Sequence, residues 1–211
     1  MPVEVKGLDE VLKALRQFEP DLAKNLNKQV RAALTPVQKK AQSYVPDELP
    51  GLSNWTFSSK GKQINRETSA FGQAGRFPKF NASIVKRGIR IMIGKTKPNQ
   101  KGFSTFYRIS NLTAAGAIME TAGRANPAGQ PWNPKSKSHR YSHSRNPEAG
   151  LHFINSMGAR MEGSGKSRGR LIYRAYNEDQ GKATASVMRA LDMTIAVFHR
   201  RAEAQTLRKV A

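Results

Sequence analysis

The 211-residue chain carries 36 Lys and Arg against 15 Asp and Glu, a formal charge of +21, with 38% hydrophobic residues and a mean hydropathy of −0.61. This length and lean apolar content fit one domain, residues 1–211, around a single core, and no apolar run approaches the roughly 20 residues of a membrane span. Glu4, Asp9 and Glu10 are unlike a secretory signal, and with no cysteine there are no disulfides, thiolate zinc sites or cysteine nucleophiles, so the expectation is a soluble protein of a reducing compartment.

The first elements are helical. Leu8, Val11, Leu12, Leu15 and Phe18 form an i, i+3, i+4, i+7 stripe, and Glu19-Pro20-Asp21 interrupts it because proline suits a first helical turn. A second stripe runs through Leu22, Leu26, Val30, Ala33, Leu34, Val37, Ala41 and Tyr44. Pro36 is expected to kink or break that helix near Leu34, since it lacks an N–H and clashes with the preceding turn. The stretch ends at Pro46.

Residues 52–80 sustain no period and read as an extended arm or long loop, ordered where Trp55, Phe57, Phe71, Phe77 and Phe80 find a neighbour. Ile84-Val85, Lys86-Arg87-Gly88 and Ile89 to Ile93 predict a hairpin. Lys95 to Gly102 is a basic loop, and Phe103 to Ile109 a further strand. Thr113 to Glu120, small and apolar, predicts a short helix or a close-packed turn. Residues 123–150 form a long basic loop, Leu151 to Met161 a short helix, Gly163 to Gly169 a flexible turn and Arg170 to Tyr176 a strand. A last helix starts near Asp179, with Ala183, Val187, Ala190, Leu191, Thr194, Ile195, Phe198 and Ala202 on one face. The fold class is α+β: N- and C-terminal amphipathic helices packed on a small antiparallel sheet, with a long arm and loop.

Charge is unevenly spread along these elements. Residues 1–59 are close to neutral at +1, residues 148–211 carry +5, and residues 60–147 hold 17 basic side chains against only Glu67 and Glu120, a net of +15. One sign over so long a stretch calls for a polyanion or an acidic protein surface as counterpart. The candidate contacts are Lys95, Lys97, Lys101, Lys135, Lys137, Arg140, Arg145, Lys166 and Arg168, with Tyr107 and Tyr141 beside cations as possible stacking partners. Core packing is the simpler role for Phe103, Phe106 and Tyr107. No zinc finger, RNP-like motif or basic zipper is present, so sequence reading is not expected.

Catalytic signatures are weak. Gly163-Ser-Gly-Lys-Ser167 lacks the first glycine of a phosphate loop, because Arg160 stands five places before Gly165, and the expected strand follows the turn instead of preceding it. His139, His143 and His152 give an incomplete metal set in a positive loop. A magnesium nuclease needs clustered carboxylates, whereas Glu178-Asp179 suits a helix N-cap. Neither a cofactor, a metal nor a membrane partner is expected.

Several segments resemble a known family. Val3-Glu-Val-Lys-Gly7-Leu, the helix end at Ala41-Gln-Ser-Tyr-Val-Pro46, Arg87-Gly-Ile-Arg-Ile-Met-Ile-Gly94, Phe106 to Arg124, Phe153-Ile154 and Gly169-Arg-Leu-Ile-Tyr-Arg-Ala175 are similar to tailed-phage neck proteins of the tail-completion and head–tail connector family, in its siphophage, actinobacteriophage-like branch. The similarity covers nearly the whole chain, and its motifs carry no catalytic signature. It implies a virion protein, assembled in the host cytoplasm, that forms a ring (commonly sixfold). In that ring the arm residues Trp55, Phe57, Phe71, Phe77 and Phe80 and the loop at 123–150 would reach neighbouring subunits, and Ala114, Ala115, Gly116 and Ala117 would permit close approach. Its neighbours would be adaptor or stopper proteins on the head side and a tail terminator or tail tube on the other, with double-stranded DNA passing through the centre during ejection. The charge alone also permits a free, non-specific nucleic-acid-binding protein.

Overall fold

In a computed structural model, residues 8–47, 80–100, 104–138, 140–142, 146–158 and 160–210 are described. The architecture is mixed α+β, as expected, with a small antiparallel sheet of two strands. The order is α1 (Leu8–Phe18), α2 (Pro20–Ser43), α3 (Ala82–Gly88), β1 (Ile89–Ile93), β2 (Tyr107–Asn111), α4 (Ala114–Thr121), α5 (Ala149–Asn155), α6 (Ile172–Glu178) and α7 (Lys182–Val210). These gather into two compact units, each drawn from separated stretches of chain: residues 1–37, 91–108 and 179–211, and residues 38–90 and 109–178.

The first unit is built on the helical stripes. Leu12 and Leu15 of α1, Leu22, Ala23, Leu26 and Val30 of α2, and Ala190 and Leu191 of α7 form one buried cluster, with Phe106, Tyr107, Val187 and Phe198 packed against it. Each fully buried leucine contributes about 1.5–3 kcal/mol, which holds three separate helical segments together. The stripe overreaches at Phe18, which is 68% exposed at the C-terminal end of α1. Arg201 of α7 closes the same end of the unit, donating to Glu19 at 2.6 Å and Asp21 at 3.0 Å.

The helix α2 continues through Pro36 without the break expected near Leu34. Val30, Val37 and Ala41 are buried on either side of the proline. Their burial outweighs the roughly 3 kcal/mol that an interior proline costs a helix.

Two predicted strands are helices, and both are in the second unit. Ile84-Val85 belongs to α3, because the Asn81 side chain accepts the Ile84 N–H at 3.0 Å and caps the first turn. At its far end the Gln42 amide donates to the Lys86 carbonyl at 3.0 Å and the Gln38 amide to the Ile89 carbonyl at 2.8 Å, so α2 side chains satisfy a carbonyl of the last turn of α3 and the first carbonyl of β1. The hairpin therefore pairs β1 with β2. Gly94 N–H donates to the Phe106 carbonyl and Leu112 N–H to the Gly88 carbonyl, which define one antiparallel register.

Arg170 to Tyr176 is the second reassignment. A buried carboxylate, Glu120 (4% exposed), accepts the N–H groups of Leu171 at 2.7 Å, Ile172 at 3.0 Å and Tyr173 at 3.0 Å. Three converging N–H groups and a local negative charge favour a helix start over an extended chain. Buried Arg170 donates to the Met119 and Ala122 carbonyls at 3.2 and 2.5 Å and so ties the end of α4 to the same point. The packing leaves no room at Gly169, where a Cβ would fall 2.1 Å from Glu120 Oε1. Gly116 is equally confined, since a Cβ there would fall 2.1 Å from the Asn111 amide nitrogen, so the buried small residues of α4, Ala115 and Gly116, serve packing within the unit.

A polar cluster fastens α6 to the end of α2. The Tyr44 hydroxyl donates to Glu178, Arg174 Nε bonds the other Glu178 oxygen at 3.0 Å, and the Arg174 guanidinium lies 4.0 Å from the centre of the Tyr44 ring. Burial, reinforced by the Glu178 carboxylate, pushes the Tyr44 phenol up to about 12.

Glu120→Ala should lower stability by about 3 kcal/mol, since it strands buried N–H groups, and Gly169→Ala by about 1–3 kcal/mol through overpacking. Because both act at one contact, the double variant should be less unstable than the sum, as read by urea unfolding; additivity would refute the contact. The folded state favours protonated Tyr44. Its contribution to stability is therefore complete below the ordinary phenol value of about 10 and lost as pH rises through about 12. Tyr44→Phe should abolish that decline, and the tyrosinate absorbance it removes should be centred near 12, not 10.

Candidate functional site

The candidate cations fall in both units. Lys95 and Lys97 belong to the first; Lys135, Lys137, Arg140, Lys166 and Arg168 belong to the second, and all seven are exposed. Lys101 and Arg145 lie outside the described residues, as do Trp55, Phe57, Phe71 and Phe77 of the arm, Phe103, and His139 and His143. Phe80 is half-buried just before α3, and exposed His152 faces Glu148 at 3.4 Å. Among the described residues no group of three His, Cys, Asp or Glu is placed to hold a metal ion.

The segment around Lys135 has more internal structure than a long exposed loop implies. A bridge between Trp132 and Ser142 closes its base, with Ser142 N–H donating to the Pro131 carbonyl at 2.8 Å and Asn133 N–H to the Ser142 carbonyl at 3.0 Å. Short polar side chains then satisfy successive backbone donors. The Asn133 side-chain oxygen accepts from Lys135 and Ser136, the Ser136 hydroxyl from Ser138, and the Ser138 hydroxyl from Arg140. The i to i+2 spacing of these residues was the available sequence signal, since Asn and Ser bond the backbone two positions on. The result is a braced loop that exposes Lys135, Lys137 and Arg140 beside Trp132 and Tyr141, which are 44% and 37% exposed.

The Gly163–Ser167 turn is braced as well. Glu162 and Gly169 exchange two backbone hydrogen bonds of 2.9 Å, and Gly165–Ser167 forms a single 3-10 turn with Lys166 and Arg168 exposed. A helix, α6, follows this turn in place of the expected strand. That arrangement does not make a phosphate loop, because the first N–H groups of α6 are already taken by Glu120.

The acids of the candidate region matter as much as its bases. From 80 to 147 the only acidic residue is Glu120, and it is buried. Among the described residues that stretch therefore contributes exposed cations and no exposed carboxylate of its own, and Asp47, from outside it, pairs with Lys86 at 2.7 Å. Elsewhere Glu178 pairs with Arg174 and Lys40, and Asp179 accepts the Ala183 N–H at 2.6 Å near the start of α7, the capping role expected for it. Phe106 and Tyr107 pack on the first unit's core, also as expected.

An arrangement of exposed Lys and Arg on braced turns can neutralise phosphates without reading bases, and half-exposed aromatics can add sequence-tolerant stacking. Comparison with family models, with curated proteins and with solved structures finds no match.

Replacing Lys135, Lys137 and Arg140 together with Ser should leave stability within about 0.5 kcal/mol, because all three are exposed. It should weaken binding to duplex DNA and flatten its logarithmic salt dependence by about 0.9 for each phosphate that these side chains neutralise. Fluorescence anisotropy across a salt series reads both quantities. An unchanged slope would exclude this loop from phosphate contact.

Proposed function

We propose that this chain is a non-enzymatic virion protein of a long-tailed phage neck, forming a ring that joins the head side to the tail while DNA passes through. The observation that carries this reading is the one-sided charge of residues 80–147, which place exposed cations in both units while their only acid, Glu120, is buried in packing. A channel for DNA needs a positive wall whose contacts are weak and sequence-blind, so that the genome slides, and copies around a ring multiply the charge of each chain.

The residues that carry the family resemblance support the same reading. Asn111, Gly116, Glu120, Gly169 and Arg170 lie in those segments, and their side chains or close approaches hold the second unit together. A resemblance carried by packing residues fits a structural protein and assigns no reacting group. The partners are further copies of the chain, in a hexamer, together with adaptor or stopper and tail-terminator or tube proteins. The virion neck is the location, after assembly in the host cytoplasm.

The exposed Trp132 and Tyr141 beside cations favour one rival, a free non-specific nucleic-acid-binding protein. Native mass measurement separates the two. The chain, alone or mixed with the head-side and tail-side proteins of its own particle, should give a closed ring of about six copies, and imaging of the particle should place that ring below the portal. A species that stays monomeric in both conditions would overturn the ring.

A further inference from the structure

An open cleft of about 600 Å³ lies wholly within the first unit, lined by Glu10, Leu12, Lys13, Arg16 and Gln17 of α1, with Lys95 and Phe106. Its chemistry is two-layered. Leu12 is buried and Phe106 half-buried against the core, so the floor is apolar. Lys13 and Arg16 at the rim are exposed and form no ion pair among the described residues. Residues 10, 13, 16 and 17 fall on one side of α1, so the helix itself lines the rim. Counting charge along the chain hides this patch, because residues 1–59 sum to nearly neutral; folding brings Lys95 from the basic stretch beside Lys13 and Arg16.

We propose that this cleft docks an acidic peptide segment of a partner protein, with one apolar side chain on Leu12 and Phe106 and its carboxylates on Lys13 and Arg16. Three features favour a peptide over nucleic acid. A phosphate backbone has no use for an apolar floor, and duplex DNA offers no unstacked base to fill it. Glu10 repels carboxylates and phosphates alike, but it can accept a main-chain N–H, which a phosphate backbone does not offer. Gln17 can both donate to and accept from a peptide group, as extended-segment recognition requires. The inference rests on the cleft and stands apart from the ring.

The probe is a fluorescein-labelled peptide of glutamates flanking one phenylalanine, titrated with the full chain. Comparison probes replace the phenylalanine with serine, the glutamates with glutamines, or the peptide with a short DNA duplex. The acidic, phenylalanine-bearing peptide should bind, and both altered peptides should bind more weakly. Lys13→Glu with Arg16→Glu should reduce its affinity about tenfold or more, since reversed charges repel the carboxylates. The Lys135, Lys137 and Arg140 to Ser variant should leave peptide binding unchanged. Circular dichroism checks that the charge-reversed chain is folded, and Lys13→Gln with Arg16→Gln supplies a milder change if it is not. Four results would overturn the proposal: no binding at millimolar peptide, indifference to the phenylalanine, indifference to both pairs of substitutions, or equal loss in the serine variant. Loss of DNA binding, with peptide binding intact, in the charge-reversed chain would assign the cleft to nucleic acid instead.

Discussion

The second unit depends on one buried carboxylate. Glu120 sits at the end of α4 with almost no exposure and accepts three consecutive N–H groups at the start of α6. A buried carboxylate is costly unless its oxygens are satisfied, and here the first turn of a helix satisfies them. Arg170, adjacent in sequence to that turn, reaches back to the α4 carbonyls, so each segment supplies what the other lacks. The bare backbone at Gly169 follows, because the carboxylate occupies the place of a side chain there.

The same commitment shapes the surface. Where an acid of this chain can be traced, much of the time it is holding structure together: Glu120 at α6, Glu178 with Tyr44 and Arg174, Asp47 with Lys86, Glu19 and Asp21 with Arg201, Asp179 at α7. Among the described residues, exposed cations such as Lys13, Arg16, Lys135 and Lys137 form no ion pair with them. With those acids so engaged, the excess of basic side chains leaves cations such as Lys135, Lys137 and Arg140 on the exposed surface. Braced loops then set where its charges stand, which lowers the ordering entropy that a partner would otherwise have to overcome.

Much of the helical architecture was legible because its signal is local and periodic. The stripes at Leu12, Leu15, Leu22, Leu26 and Val30 and at Ala190 and Leu191 are the core of the first unit. The errors came where a distant or overlooked polar group decided the conformation. Ile84-Val85 has strand propensity, yet Asn81 and two glutamines from α2 make it a helix. Arg170 to Tyr176 reads as a short apolar strand, and a carboxylate about fifty residues earlier, accepting its first N–H groups, favours a helix there. Pro36 stays within α2 because burial on both sides exceeds its local cost.

Composition and order along the chain, by themselves, determined the α+β class, the strongly basic middle stretch and the positions of the long terminal helices. These depend on residue type and short-range spacing alone. Tertiary structure decided which of those charges face outward, which short segments are helices, and that Lys13 and Arg16 share a cleft with Lys95 and Phe106. Those outcomes depend on groups far apart in sequence meeting in one place, and no window along the chain contains both partners.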